Sequence, residues 1–193
     1  MLNALVAACC LFNPPDQWEL SHPKSPSRHA ICGFLEKGQS GFRPSIHLTH
    51  EVITCSEDEY LREIEQNAKR HRQKWRNMGT ISTASGKAYL IQLEVNARLG
   101  KVSLLQAILI RGNEAHILTA GALKKDLSRL APIFKKAFSS MEAVDNLFEK
   151  AHDPIALRAA WQKRGEDLES YTKMVMEQSA LGPVGKIQLM RLQ

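Results

Sequence analysis

No run of 18 apolar residues occurs in this 193-residue chain, so no segment has the length and composition of a membrane-spanning helix. Cysteine is scarce, with Cys9, Cys10, Cys32 and Cys55 all in the first third. They form no C-x-x-C pair, and no His/Cys cluster has zinc-finger spacing, which argues against a structural zinc site. Reduced, partly buried thiols are expected, with Cys32 and Cys55 the pair that an oxidising compartment could join. The glycines build no phosphate loop, because Gly182 to Ile187 ("GPVGKI") lacks the four-residue spacing and the hydroxyl after lysine. Gly38 to Gly41 ("GQSG") falls one residue short of a nucleophile elbow and reads as a turn. Internal repeats and low-complexity tracts are also missing.

What is present is an ordinary globular composition, 44% hydrophobic and 24% charged, with a net charge of +6. Residues 145 to 193 hold seven basic and seven acidic side chains, so the basic excess lies upstream. It is smaller than a dedicated nucleic-acid binder carries, which makes nucleic acid a disfavoured partner. At the start, Val6-Ala7-Ala8-Cys9 has the look of a bacterial lipobox. The stretch before it has no Lys or Arg and is too short for a signal peptide, so a short apolar strand or helix start is expected there. That sets a cytoplasmic location as the expectation, with an envelope lipoprotein as the alternative if the start lies further upstream.

Pro14, Pro15, Pro23 and Pro26 make residues 13 to 28 a loop, with Trp18 as its anchor to the core. A strand follows over "HAICGFLEKG". The next stretch, "GFRPSIHLTHEV" (41 to 52), decides whether a metal site should be considered. Alternation puts Ile46, Leu48, His50 and Val52 on one face, with Ile46, Leu48 and Val52 expected in the core. Ser45, His47, Thr49 and Glu51 take the other face. His47 and His50 then point to opposite sides of a sheet and cannot share a metal, unlike the paired histidines of a helical H-E-x-x-H.

Ser56 followed by Glu59 is a capping box, and acids crowd the first turn of the helix it opens. Leu61, Ile64, Ala68 and Trp75 recur at helical spacing, which predicts a helix ending near Gly79. Residues 87 to 120 read as a three-stranded antiparallel meander with turns at Arg98 to Lys101 and Arg111 to Glu114. A second amphipathic helix follows, with Leu123, Leu127, Leu130, Phe134 and Phe138 inward and Pro132 kinking it or lying near its start. A third begins at Asp153-Pro154 and runs to about residue 181.

The order of elements and several local motifs resemble the PsbP-like, Mog-type superfamily, which includes DcrB-like bacterial proteins. The motifs are "PPDQW" (14 to 18), "GFRPSIHLTHEV" (41 to 52), "SEDEYL" (56 to 61), "GKAYLIQLE" (86 to 94) and "IFKKAFSSM" (133 to 141). The match covers about residues 12 to 142. It implies an α+β fold, an α/β/α sandwich with a central antiparallel sheet, over residues 1 to 145. Residues 146 to 193 would be a helical extension and tail. Members bind other proteins, among them a small GTPase, a photosystem and secreted effectors. A catalytic site is not part of that pattern, so no catalytic residue and no cofactor are carried over.

Two function classes follow. The first is a non-enzymatic protein-binding module, an adaptor, chaperone or assembly factor, with Leu157 and Trp161 of the third helix as candidate partner contacts. The second is a binder of nucleic acid or an anionic surface through Lys69, Arg70, Arg72, Lys74 and Arg76 in "KRHRQKWR". A solvated helix end whose cations complement the dipole is the structural alternative for that run, and the better one given the acids at the helix start. The remaining histidines, His50 and His116 included, are expected to be structural.

Overall fold

The computed structural model describes residues 9–21, 30–38 and 41–144. The expected third helix, with Leu157 and Trp161, and the expected division at residue 145 lie outside the described residues. Among the described residues nine strands and two helices follow one another in the order β1 (Cys9–Leu11), β2 (Glu19–Leu20), β3 (Ala30–Leu35), β4 (Ser45–Val52), α1 (Glu57–Arg70), β5 (Lys74–Thr83), β6 (Gly86–Ala97), β7 (Gly100–Arg111), β8 (Glu114–Leu123), α2 (Leu127–Ser139) and β9 (Glu142–Val144). A 3₁₀ turn, Lys124–Asp126, leads into α2. Seven strands form one antiparallel sheet in the order β2-β3-β4-β8-β7-β6-β5, and β1 pairs with β9 in a separate ribbon. Among the described residues no helix is long and apolar enough to cross a membrane.

Alternation along the strands gives the sheet two apolar faces, each covered by one helix. On one face Ile46, Leu48, Ala88, Leu90, Leu105, Leu118 and Ala120 meet Leu130, Phe134, Ala137 and Phe138 of α2. Trp18 closes this core edge-on against Phe134, ring centroids 6.1 Å apart, and so anchors its segment as expected, but Glu19–Leu20, within the stretch read as loop, form strand β2. On the other face Ile91, Ile108, Ala115 and Ile117 meet Tyr60, Leu61 and Ile64 of α1. The fold is therefore α+β, a helix–sheet–helix sandwich around an antiparallel sheet. Val52 departs from expectation. It shares the face of Ile46 and Leu48 but is 63% exposed, because it ends β4 beyond the reach of the core under α2.

The capping box forms as read: Ser56 N–H donates to Glu59 Oε2 at 3.0 Å, and Ser56 Oγ accepts from Glu59 N–H at 3.4 Å. The far end of α1 corrects the sequence reading. The helix stops at Arg70, well short of Gly79, and Trp75 lies on β5. Arg72 takes a left-handed φ of 55°. Its N–H donates to the Lys69 carbonyl, and Gln73 N–H reaches back to the Ala68 carbonyl. This is the bonding pattern of a Schellman termination with arginine where glycine is usual. Lys74 and Arg76 consequently belong to a strand and not to a helix end. β5 extends the expected three-stranded meander to four strands, and Gly79, at φ 87°, occupies a bulge opposite Leu90. Pro132 sits in the second turn of α2, and the 3₁₀ turn precedes the helix where sequence periodicity placed its first residues.

Cys32 pairs across from Leu48 and faces the α2 side, whereas Cys55 packs on the α1 side. The sheet separates them, and both thiols are free.

Candidate functional site

Tyr60 is the pivot of the α1 face. Its hydroxyl donates to Glu51 Oε2 at 2.5 Å, tying the helix to the end of β4. Burial, followed by that bond, raises the phenol well above its ordinary value, so it stays a donor. Beside this pair, the space between α1 and the sheet opens into a groove of about 300 Å3. Its apolar lining is Ile64 of α1 with Leu93, Ile108 and Ile117 of the sheet, and its polar lining is Gln106 of the sheet with Glu51, Glu63, Asn67, His71 and Gln73. Gln106 is held in place by donating to Thr119 Oγ1 at 3.0 Å. The helix supplies Tyr60, Glu63, Ile64 and Asn67 at three- and four-residue spacing, which is why one flank of α1 lines the groove throughout. Apolar side chains with a few fixed polar groups among them suit a ligand with an apolar stem, and the two carboxylates, Glu51 and Glu63, favour a cationic tip. Sequence reasoning missed this site, because Gln106 and Glu51 lie on strands far apart in the chain.

The predicted basic run is divided by the turn at Arg72. Lys69 is bound to Glu65 one turn earlier on the helix, at 2.6 Å. Arg70 and Arg72 are exposed around the helix end. Lys74 and Arg76 follow on alternate positions of β5, opposite Glu94 and Gln92. The register brings other cations to the same end of the sheet: Arg98 and Lys101 at the β6–β7 hairpin, Lys124 after β8. Lys124 Nζ reaches Glu94 Oε1 at 2.7 Å, and this bond, reinforced by Lys74 and Lys101 nearby, lowers the Glu94 carboxyl below its ordinary value. The opposite end of the sheet carries Glu114 and the acidic start of α1, where Tyr89 donates to Glu57 at 2.8 Å. Arg111 and Lys87 lie at that end as well, so charges of both signs mix there, whereas cations predominate at the hairpin end.

His47 and His50 do lie on opposite faces. His50 instead sits beside His116 on β8, its cross-strand partner. Among the described residues no group of three or more His, Cys, Asp or Glu is placed to hold a metal.

No protein-family model matches this chain, and no curated protein matches it. Solved structures do. LpqN of Mycobacterium tuberculosis, described as involved in cell envelope biogenesis, aligns at a TM-score of 0.53 and 15% identity over 72% of this chain and 85% of LpqN. The cyanobacterial PsbP protein CyanoP from Synechocystis sp. PCC 6803 aligns at 0.49 and 9% identity, over 72% of this chain and 94% of CyanoP. PA94 of Pseudomonas aeruginosa, a protein of unknown function, aligns at 0.49 and 16% identity, over 67% of this chain and 94% of PA94. The chain shares its fold with LpqN. At that identity, the likeness speaks to fold alone.

Proposed function

We propose that this chain is a non-enzymatic protein-binding module of the adaptor, chaperone or assembly-factor kind, and that the groove beneath α1 receives a cationic side chain of its partner. The groove itself carries the reading. Its volume is at the small end of ligand pockets, suited to an anchoring side chain more than to a drug-sized molecule. Ile64, Leu93, Ile108 and Ile117 would bury the methylene stem of a lysine or arginine while Glu51 or Glu63 meets its charge. Tyr60 and Gln106 are held by hydrogen bonds before any ligand arrives, which lowers the ordering cost of binding. The resemblance to PsbP-like and Mog-type proteins, whose members bind proteins, supports the same class.

Site-specific photo-crosslinking in the source cells tests this. A crosslinker at Asn67, on the groove rim, should yield one discrete protein adduct, whose crosslinked residue lies next to a Lys or Arg. The same probe at Ala84, in the β5–β6 turn, should not. Adducts of equal yield at both positions, or none at Asn67, would contradict the proposal.

A further inference from the structure

We infer that the cation-lined end of the sheet, tipped by Leu99, is a docking surface for an anionic lipid bilayer. Three separate segments build it: the α1–β5 turn with Arg70 and Arg72, the β6–β7 hairpin, and the start of the 3₁₀ turn at Lys124. The register Ala97↔Gly100, Val102↔Leu123 and Lys74↔Glu94 sets all three at one edge of the sheet. At the hairpin tip Leu99 is 57% exposed between Arg98 and Gly100. Tight turns favour Asn, Asp or Gly, so a leucine at that position presents apolar surface to water without serving the turn.

One exposed apolar side chain flanked along the hairpin by Arg98 and Lys101 is the chemistry of an interfacial anchor. The leucine enters the acyl boundary, while Arg98 and Lys101 keep their charges among the headgroups. Glu94 does not repel the surface, since Lys124 binds it. A site for single-stranded nucleic acid would be expected to place an aromatic side chain for stacking in the tip, and the tip sequence Ala97-Arg98-Leu99-Gly100-Lys101 has none. The opposite end, where Glu114 and the acids of the first turn of α1 sit with Arg111 and Lys87, has no such cationic excess, so the hairpin is the end towards the lipid. This surface is distinct from the groove beneath α1, and either can fail without the other.

Vesicle co-sedimentation of the full chain tests the inference. Binding to phosphatidylglycerol vesicles and not to phosphatidylcholine vesicles is expected, falling as salt rises. Lys101→Glu should weaken it on the order of tenfold, whereas Lys87→Glu, an equal charge change at the far end of the sheet, should leave it within about twofold. Leu99→Ser should weaken it several-fold with the salt dependence unchanged. All three positions are exposed, and an unaltered thermal melt confirms that each variant folds. Equal losses for Lys101→Glu and Lys87→Glu would reduce the effect to net charge and overturn the inference. So would no vesicle binding, an inert Leu99→Ser, or tighter binding to RNA or to an acidic polypeptide than to the vesicles.

Discussion

The imidazole rings of His50 and His116 face one another across β4 and β8, centroids 5.2 Å apart and planes inclined by 33°. His50 Nε2 and His116 Nδ1 are both buried without a hydrogen-bond partner among the described residues. His116 is 1% exposed. Burial, then the neighbouring His50, then Arg111 push its pKa down to about 4. On the other side Glu114 Oε1 lies 4.0 Å from His50 Nε2, too far to hold a firm bond.

A stability–pH dependence follows. The folded pKa of His116 is below its ordinary 6.5, so the unfolded chain takes up this proton first. Stability from this site is complete above pH 6.5 and declines as pH falls towards 4, by on the order of 1–3 kcal/mol. Urea unfolding at a series of pH values reads it, and His116→Leu should flatten the slope. Burial lowers His47 in the same direction, so the variant comparison isolates His116. An unchanged slope in His116→Leu would remove the pair from the account.

Two tyrosine–glutamate bonds should differ in worth. Tyr60→Phe removes a part-buried bond to Glu51 and should cost about 1–2 kcal/mol. Tyr89→Phe removes an exposed bond to Glu57 and should cost under about 1 kcal/mol. Urea midpoints of the two variants compare them directly, and equal losses would contradict the assignment of Tyr60 as the tie between α1 and β4.

The end of α1 offers a third check. Arg72→Gly relieves a left-handed residue, a cost of about 1–2 kcal/mol, against a larger loss of chain entropy for glycine. A net gain of about 0.5–1 kcal/mol is expected, seen as a raised melting temperature. Gly79→Ala, at φ 87° in the bulge, should move it the other way. A destabilised Arg72→Gly would mean that the arginine side chain holds the turn.

Arg72 also explains what the sequence hid. With glycine at that position the helix end would have been legible, but arginine let the periodicity run on through Trp75, which packs on the same apolar cluster from β5. The alternation of Ser45–Val52 and Gly86–Ala97 and the Ser56–Glu59 box were legible because each is local. The groove was not, since Glu51, Asn67 and Gln106 meet only through the pairing of β4, β8 and β7 under α1. The basic end was half legible: the run at 69 to 76 stands out, while Arg98, Lys101 and Lys124 join it through register alone.

The most direct measurement is calorimetric titration of the crosslinked partner, once purified, into wild-type chain and into Ile64→Trp. Ile64 lines the groove from α1, and a tryptophan there fills the space an anchoring side chain would need. The account predicts a Kd at least about tenfold weaker, which is a single lost anchor of about 1.4 kcal/mol, with a cooperative melt retained. An unchanged Kd in a folded Ile64→Trp protein would contradict the groove as the binding site.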